Sequence, residues 1–338
     1  MFDMKLFKSK KIFLLSFMFL SSCIENAPLD SLSPAGPYAR SIDELFWLTF
    51  WIAVGVFVIV QGALLFSVFY YKERETSPEP KQIHGNNFLE ILWTIIPVLI
   101  LAAIAVPTVR TIFDLAREPE DALKIEVIGH QWWFEYKYPD YGITTANVLV
   151  IPEDQPIRLE MWSNDVLHNY WVPKLNGKRY LVPGQTTYLN LQADSAEEFW
   201  AQCGEYCGLS HSKMRGRVIS MTESDFAAWV ENEQSYAQKE LPESSLAAEG
   251  QLVYLNAGCT QCHVIDGVWD VQGDRIAPNL THFANRSVFA GAALKNNSEN
   301  LTKWLANPAE IKPGTFMPNL ELTEKEINAL IAYLGTLK

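Results

Sequence analysis

A chain of 338 residues exceeds one ordinary hydrophobic core, so two or three domains are expected. A hydrophobic share of 49% excludes a wholly water-soluble globule when, as here, the apolar surplus is gathered into a few runs. The formal net charge of -12 argues against nucleic acid as a partner and permits a basic protein partner.

Lys5, Lys8, Lys10 and Lys11 precede the apolar run Ile12 to Leu20, which has the form of an export signal and is too short to cross a bilayer. Residues 1–22 are therefore read as signal and not as fold. Leu20-Ser21-Ser22-Cys23 resembles a bacterial lipobox, in which signal removal leaves Cys23 as a lipidated first residue; the alternative is an ordinary signal cut elsewhere. Within residues 23–118, two apolar stretches, Leu45 to Tyr71 and Phe88 to Phe113, each exceed the roughly 20 residues that span a membrane as a helix. Pro97 and Pro107 are tolerable in the second and would kink it. The connection carries Lys72, Arg74 and Lys81 but also Glu73, Glu75 and Glu79, so its charge bias is weak. A lipidated amino terminus outside the inner (cytoplasmic) membrane of a bacterium sets the topology instead: two passes return the rest of the chain to that outer, periplasmic side. Glu90, near the start of the second stretch, suits a helix amino terminus at the interface, and intramembrane acids are also functional candidates.

From about residue 119 to 223 the pattern changes to short β-branched and aromatic runs: Lys124 to Val127, Trp132 to Tyr138, Val148 to Ile151, Ile157 to Trp162, Thr186 to Leu191, Glu198 to Ala201 and Gly216 to Met221. Turn signals such as Pro139-Asp140 and Pro183-Gly184 separate them, which predicts a small all-β sandwich or barrel. Because alternate strand side chains point to opposite faces, at least one of Trp132 and Trp133 is expected to be exposed. Cys203, Cys207, His211 and Met214 follow the spacing C-x3-C-x3-H-x2-M, with His168 some way upstream. Two thiolates, two imidazoles and a thioether make the soft ligand set of a copper electron-transfer site. Zinc competes, although paired knuckles are its more usual form, and a plain Cys203–Cys207 disulfide would not require the His and Met. Two thiolates shared between two metals leave each metal one imidazole, with Met214 and the Glu205 carbonyl as weak further contacts.

The spacing resembles the binuclear copper (CuA) loop of cytochrome c oxidase subunit II. The likeness extends to Gly129-His130-Gln131-Trp132-Trp133-Phe134-Glu135-Tyr136, similar to that family's aromatic segment, and to His168-Asn169-Tyr170-Trp171-Val172-Pro173, similar to its first ligand loop. The resemblance implies a cupredoxin-like fold and makes Trp132 the tryptophan through which electrons reach copper. It further implies a Glu205 carboxylate on magnesium at the boundary with subunit I, and, through Glu90-Ile91-Leu92-Trp93-Thr94, makes Glu90 a guard at the mouth of a proton pathway in subunit I.

Residues 224–246 read as a helix and a polar tether. Beyond it Cys259-Thr260-Gln261-Cys262-His263 is the c-type haem attachment sequence, in which two thiols bind the porphyrin and His263 ligates iron. A thioredoxin-like pair would lack the histidine and need a surrounding βαβ pattern. Met317, held in Pro313-Gly314-Thr315-Phe316-Met317-Pro318, fits the sixth ligand, and Ala277-Pro278-Asn279-Leu280 resembles the haem-packing loop of class I cytochromes c. Thr323 to Glu326 forms a capping box before Ile327, Leu330, Ile331 and Leu334, an amphipathic terminal helix. Residues 247–338 are thus expected to form an all-α cytochrome c domain.

Taken over the chain, the resemblance implies subunit II of a proton-translocating haem-copper oxidase with a fused haem c, partnered by subunits I and III and reduced by a cytochrome c or an upstream respiratory complex. Three rivals stand beside it. Nitrous oxide reductase shares the copper loop but needs another large domain; a quinol oxidase subunit II lacks the copper ligands; a membrane-tethered carrier would work without subunit I.

Overall fold

The computed structural model describes residues 27–73, 79, 82, 84–235, 240–269 and 276–338. The signal segment, Cys23 and, in the membrane connection, Arg74, Glu75 and Lys81 lie outside the described residues.

Two long apolar helices come first: α1, Pro37–Tyr70, and α2, Asn87–Ala116. At about 1.5 Å per residue both outreach a hydrocarbon layer of about 30 Å, and their large apolar side chains face outward. Asn86 caps α2, its side-chain oxygen accepting the amides of Phe88 and Leu89 at 3.1 and 3.2 Å. The helix runs unbroken past Pro97 and Pro107.

Both helices are fixed to the β-domain. Just before α1, the Ala35 amide donates to the Lys174 carbonyl at 2.8 Å and its carbonyl accepts from Asp194 at 3.0 Å, while Arg40 pairs with Asp194. At the far end of α2, buried Asn190 donates through Nδ2 to the carbonyls of Leu115 and Arg117 at 2.9 and 2.7 Å. Arg158 donates to Asn190 Oδ1 at 2.8 Å and lies 4.4 Å from the centre of the Tyr188 ring.

The β-domain is a sandwich of two five-stranded sheets. Its strands are β1 Leu123–His130, β2 Trp133–Tyr138, β3 Ile143–Ala146, β4 Val148–Pro152, β5 Ile157–Ser163, β6 His168–Trp171, β7 Lys178–Leu181, β8 Thr187–Leu191, β9 Glu198–Cys203 and β10 Arg215–Met221. One sheet runs β3-β2-β1-β5-β8, the other β4-β10-β9-β6-β7. Ile125, Val127, Phe134, Tyr136, Leu159 and Val218 fill the space between them. Three strands fall outside the runs predicted above: Thr-rich β3 and charged β7 are edge strands whose composition is not apolar, and β6 begins at a candidate metal ligand.

Helix α3, Glu223–Glu233, lays Phe226 and Trp229 against Tyr141 and Tyr138. The carboxyl-terminal domain holds α4 Leu246–Asn256, a two-stranded hairpin of β11 Val288–Phe289 and β12 Leu294–Lys295, then α5 Ser298–Ala306, α6 Pro308–Ile311 and α7 Glu324–Leu334. Its core includes Tyr254, Phe283, Phe289, Leu301, Leu330 and Tyr333. Gly250 lets α4 close on α7, since any Cβ there would overlap the Ala329 backbone. The capping box at Thr323 and Glu326 is formed.

Candidate functional site

Strands β6 and β9 and the loop after β9 gather the thiols and imidazoles at one end of the sandwich. His168 opens β6 and Cys203 closes β9, and the two strands pair at Tyr170 and Cys203. Ligand atoms of His168, Cys203 and Cys207 all lie within 4.8 Å of one another and all three residues are buried. The two sulfurs are 3.8 Å apart and unbonded, and Cys207 Sγ is 3.5 Å from His211 Nδ1 and 3.8 Å from Met214 Sδ. The Glu205 carbonyl comes to 3.3 Å from Cys203 Sγ. The structure therefore brings together His168, Cys203, Glu205, Cys207, His211 and Met214.

Electrostatics bind this cluster to its surroundings. Hydrogen bonding with Cys207, against the effect of burial, draws Cys203 down to about 4, and the same contact with burial pushes Cys207 up, so the thiols share one proton. Burial works against a charged His168, but Asp165 and Cys203 outweigh it and raise the imidazole. Asp165 was not singled out by the sequence reading, although it stands three residues before His168. Its Oδ1 lies 2.7 Å from His168 Nε2, and Oδ2 accepts the Gln131 amide at 2.6 Å. Against burial, these contacts and the Val166 amide hold the carboxyl below its ordinary value. His168 Nδ1 is left buried and, among the described residues, without a hydrogen-bond partner. A buried, oriented nitrogen beside two unoxidised thiols fits a soft metal pair better than a cystine.

A cavity of about 870 Å³ lies beside this cluster, lined among others by Cys259, Cys262, His263, Met317 and Trp132. His263 Nδ1 lies 2.7 Å from the Pro278 carbonyl, which leaves Nε2 for a ligand, and burial lowers the imidazole's pKa. The Tyr254 hydroxyl donates to the His263 carbonyl at 2.9 Å. Two unpaired thiols, one free imidazole nitrogen and a thioether around such a cavity fit a covalently attached haem.

Trp132 stands between cluster and cavity. Its indole Nε1 donates to the Cys207 carbonyl at 2.9 Å, and Gln131 Nε2 donates to the same oxygen at 2.8 Å. Trp132 and Trp133 are only 5% and 8% exposed, so the expectation that one of them would be exposed is corrected. Trp132 lies in the turn before β2, not in a strand, and the carboxyl-terminal domain covers it. Trp133 stacks on His130 at 4.2 Å, and His130 Nε2 lies 3.1 Å from buried Glu135. Glu90 sits apart from both sites, exposed in the first turn of α2.

Sequence profiles described as the transmembrane domain of cytochrome c oxidase subunit II, its periplasmic domain, and cytochrome c match residues 29–111, 142–221 and 247–338. Cytochrome c oxidase subunit 2 of Alkalihalophilus pseudofirmus is 37% identical over 99% of each chain. The protein of the same name from Bacillus subtilis is 34% identical over 92% of each. Quinol oxidase subunit 2 of Bacillus spizizenii is also 34% identical, over 67% of this chain and 72% of its own.

Proposed function

The chain belongs to the cytochrome c oxidase subunit II family, with a cytochrome c domain fused at its carboxyl end, and from that premise we propose that it relays electrons from an external donor, through the fused haem and a binuclear copper centre, to subunit I, where oxygen is reduced as protons are translocated. The observation that carries the reading is the buried set of His168, Cys203 and Cys207 with His211 and Met214 beside it. In this reading Cys203, Cys207, His168 and His211 would hold two coppers, with Met214 and the Glu205 carbonyl as weak further contacts. Cys259 and Cys262 would anchor the haem covalently, and His263 and Met317 would ligate its iron. When bound, these groups supply one-electron exchange.

The chain's own residues keep that exchange rigid. Asp165 fixes the ring of His168, the carbonyl of Pro278 fixes that of His263, and Trp132 joins the copper loop to the haem cavity through a single hydrogen bond to Cys207. The two spans tie the chain to the inner membrane and to subunits I and III, with both cofactor domains on the periplasmic side; Cys23, after signal removal, adds a lipid anchor. Glu205 is the candidate for magnesium at the subunit I boundary, and Glu90 the candidate for the proton-pathway mouth. The quinol oxidase reading does not account for the thiol pair or for the haem-attachment cysteines.

Metal and haem analysis of the intact chain is expected to give two coppers and one covalent haem. Cys207→Ser is expected to abolish copper absorbance while leaving the haem spectrum. Zinc or a cystine at Cys203 and Cys207 would overturn the assignment.

A further inference from the structure

The hairpin of β11 and β12 turns through three successive left-handed residues, Ala290, Gly291 and Ala292, with φ of 53°, 70° and 54°. Left-handed alanines are strained and persist only where the surroundings hold them. Here the surroundings belong to the other domain. Val288 and Ala292, each 4% exposed, pack into the sandwich core, while Phe289 between them packs into the haem-domain core.

The backbone of the turn completes a sheet. On β10 the Arg217 amide donates to the Asn147 carbonyl at 2.9 Å, next to the start of β4 at Val148. Two residues earlier on the same strand, the Arg215 amide donates to the Gly291 carbonyl at 2.8 Å, supplying the rung that β4 does not reach. Buried Lys312 then bridges the two domains, donating to the Trp132 carbonyl and, at 3.0 Å, to the Ala290 carbonyl. Ser210 Oγ donates to the Pro313 carbonyl at 2.7 Å, and Lys213 donates to the Ile311 carbonyl. Gly314, with φ of 80°, faces the Trp132 ring so closely that a Cβ would stand 2.8 Å from it. Gly291 has no room for a Cβ against the Trp132 carbonyl and Lys312 Nζ.

We infer that the β11–β12 hairpin is a docking finger that seats the haem domain in one fixed position on the copper domain, with Trp132 enclosed between them. An external reductant meets the surface of the haem domain and does not reach Trp132. The enclosure stands on the geometry alone; its meaning for electron delivery rests on the proposed function.

The test is amide hydrogen exchange, resolved to single residues, on the intact chain in detergent with both cofactors loaded. The Arg215 amide, whose acceptor lies across the junction, is expected to be as well protected as that of Arg217, whose acceptor lies within the sandwich. Gly291→Ala is expected to speed Arg215 exchange at least tenfold, to leave Arg217 unchanged, and to leave copper and haem absorbance intact. Exchange of Arg215 at the rate of an unprotected amide in the unaltered chain would overturn the inference, and that measurement stands even if the variant does not fold. An unchanged Arg215 rate in folded Gly291→Ala would overturn it too. Neither readout depends on which metal the thiols bind, so failure here is distinct from failure of the Cys207→Ser test.

Discussion

At the scale of single residues, Asp165 and Glu233 use half-buried carboxylates in opposite ways. Asp165 is held ionised by an imidazole and two backbone amides, and its work is to aim His168. Partners of this kind typically tune metal affinity by about 10–100-fold. Asp165→Ala is therefore expected to weaken copper binding by about that factor, measured by competition with a chelator of known affinity; unchanged affinity would mean that β6 alone orients the ring. Glu233, at the end of α3, has its pKa raised by burial, which outweighs the opposing pull of His282 and Arg286 in the haem domain. An acid whose folded-state pKa is raised takes up a proton on folding. Its contribution to stability is thus full below the ordinary carboxyl value of 4.5 and is lost as pH rises through the raised one. Glu233→Gln is expected to flatten that part of the pH profile of denaturant midpoints; a profile identical to the unaltered chain would remove Glu233 from the account.

At the scale of elements, helix ends explain more than helix interiors do. At the end of α2 the carbonyls of Leu115 and Arg117 accept from Asn190, a fully buried residue on the face of β8 opposite to core residues Leu189 and Leu191. Asn190→Ala would strand the Leu115 and Arg117 carbonyls and leave Arg158 without its Oδ1 acceptor. A loss of about 1–3 kcal/mol is expected for buried groups so orphaned, read as a lower denaturant midpoint of the sandwich; an unchanged midpoint would show that water takes over the cap. Asn190 also illustrates what the sequence conceals. Unbroken apolar runs marked out both long helices, and apolar periodicity behind a capping box marked out the terminal one, because each is a local pattern. Strand β7, which reads Lys-Arg-Tyr-Leu, gave no such signal, since an edge strand with one face in solvent needs few apolar residues. The candidate ligands were legible for the reason that β6 and β7 were not: their chemistry is written in residue type and spacing. Asp165 lay in plain view three residues before His168, yet only the fold turns that offset into a contact.

At the scale of the whole molecule, the junction between the cofactor domains is the part least readable from sequence. Lys312 and Trp132 are 180 residues apart, and the bond that joins them leaves no periodicity, charge run or motif. The alternation rule failed at Trp132 and Trp133 for the same reason, because it weighs one sheet against solvent and knows nothing of a second domain laid over it. The family resemblance reached as far as naming the two cofactor domains; how they are joined is a property of packing.

The attachments of the two long apolar helices have a mechanical consequence. Arg40 clasps Asp194 at one helix and Asn190 holds the end of the other, so the outer domains are mounted on two struts and cannot swivel on a loose stalk. A membrane too thin or too thick for those struts must be met by leaning. Whatever angle the helices take, the sandwich leans with them, and lipid thickness becomes a setting for the height at which the thiol cluster stands over the bilayer.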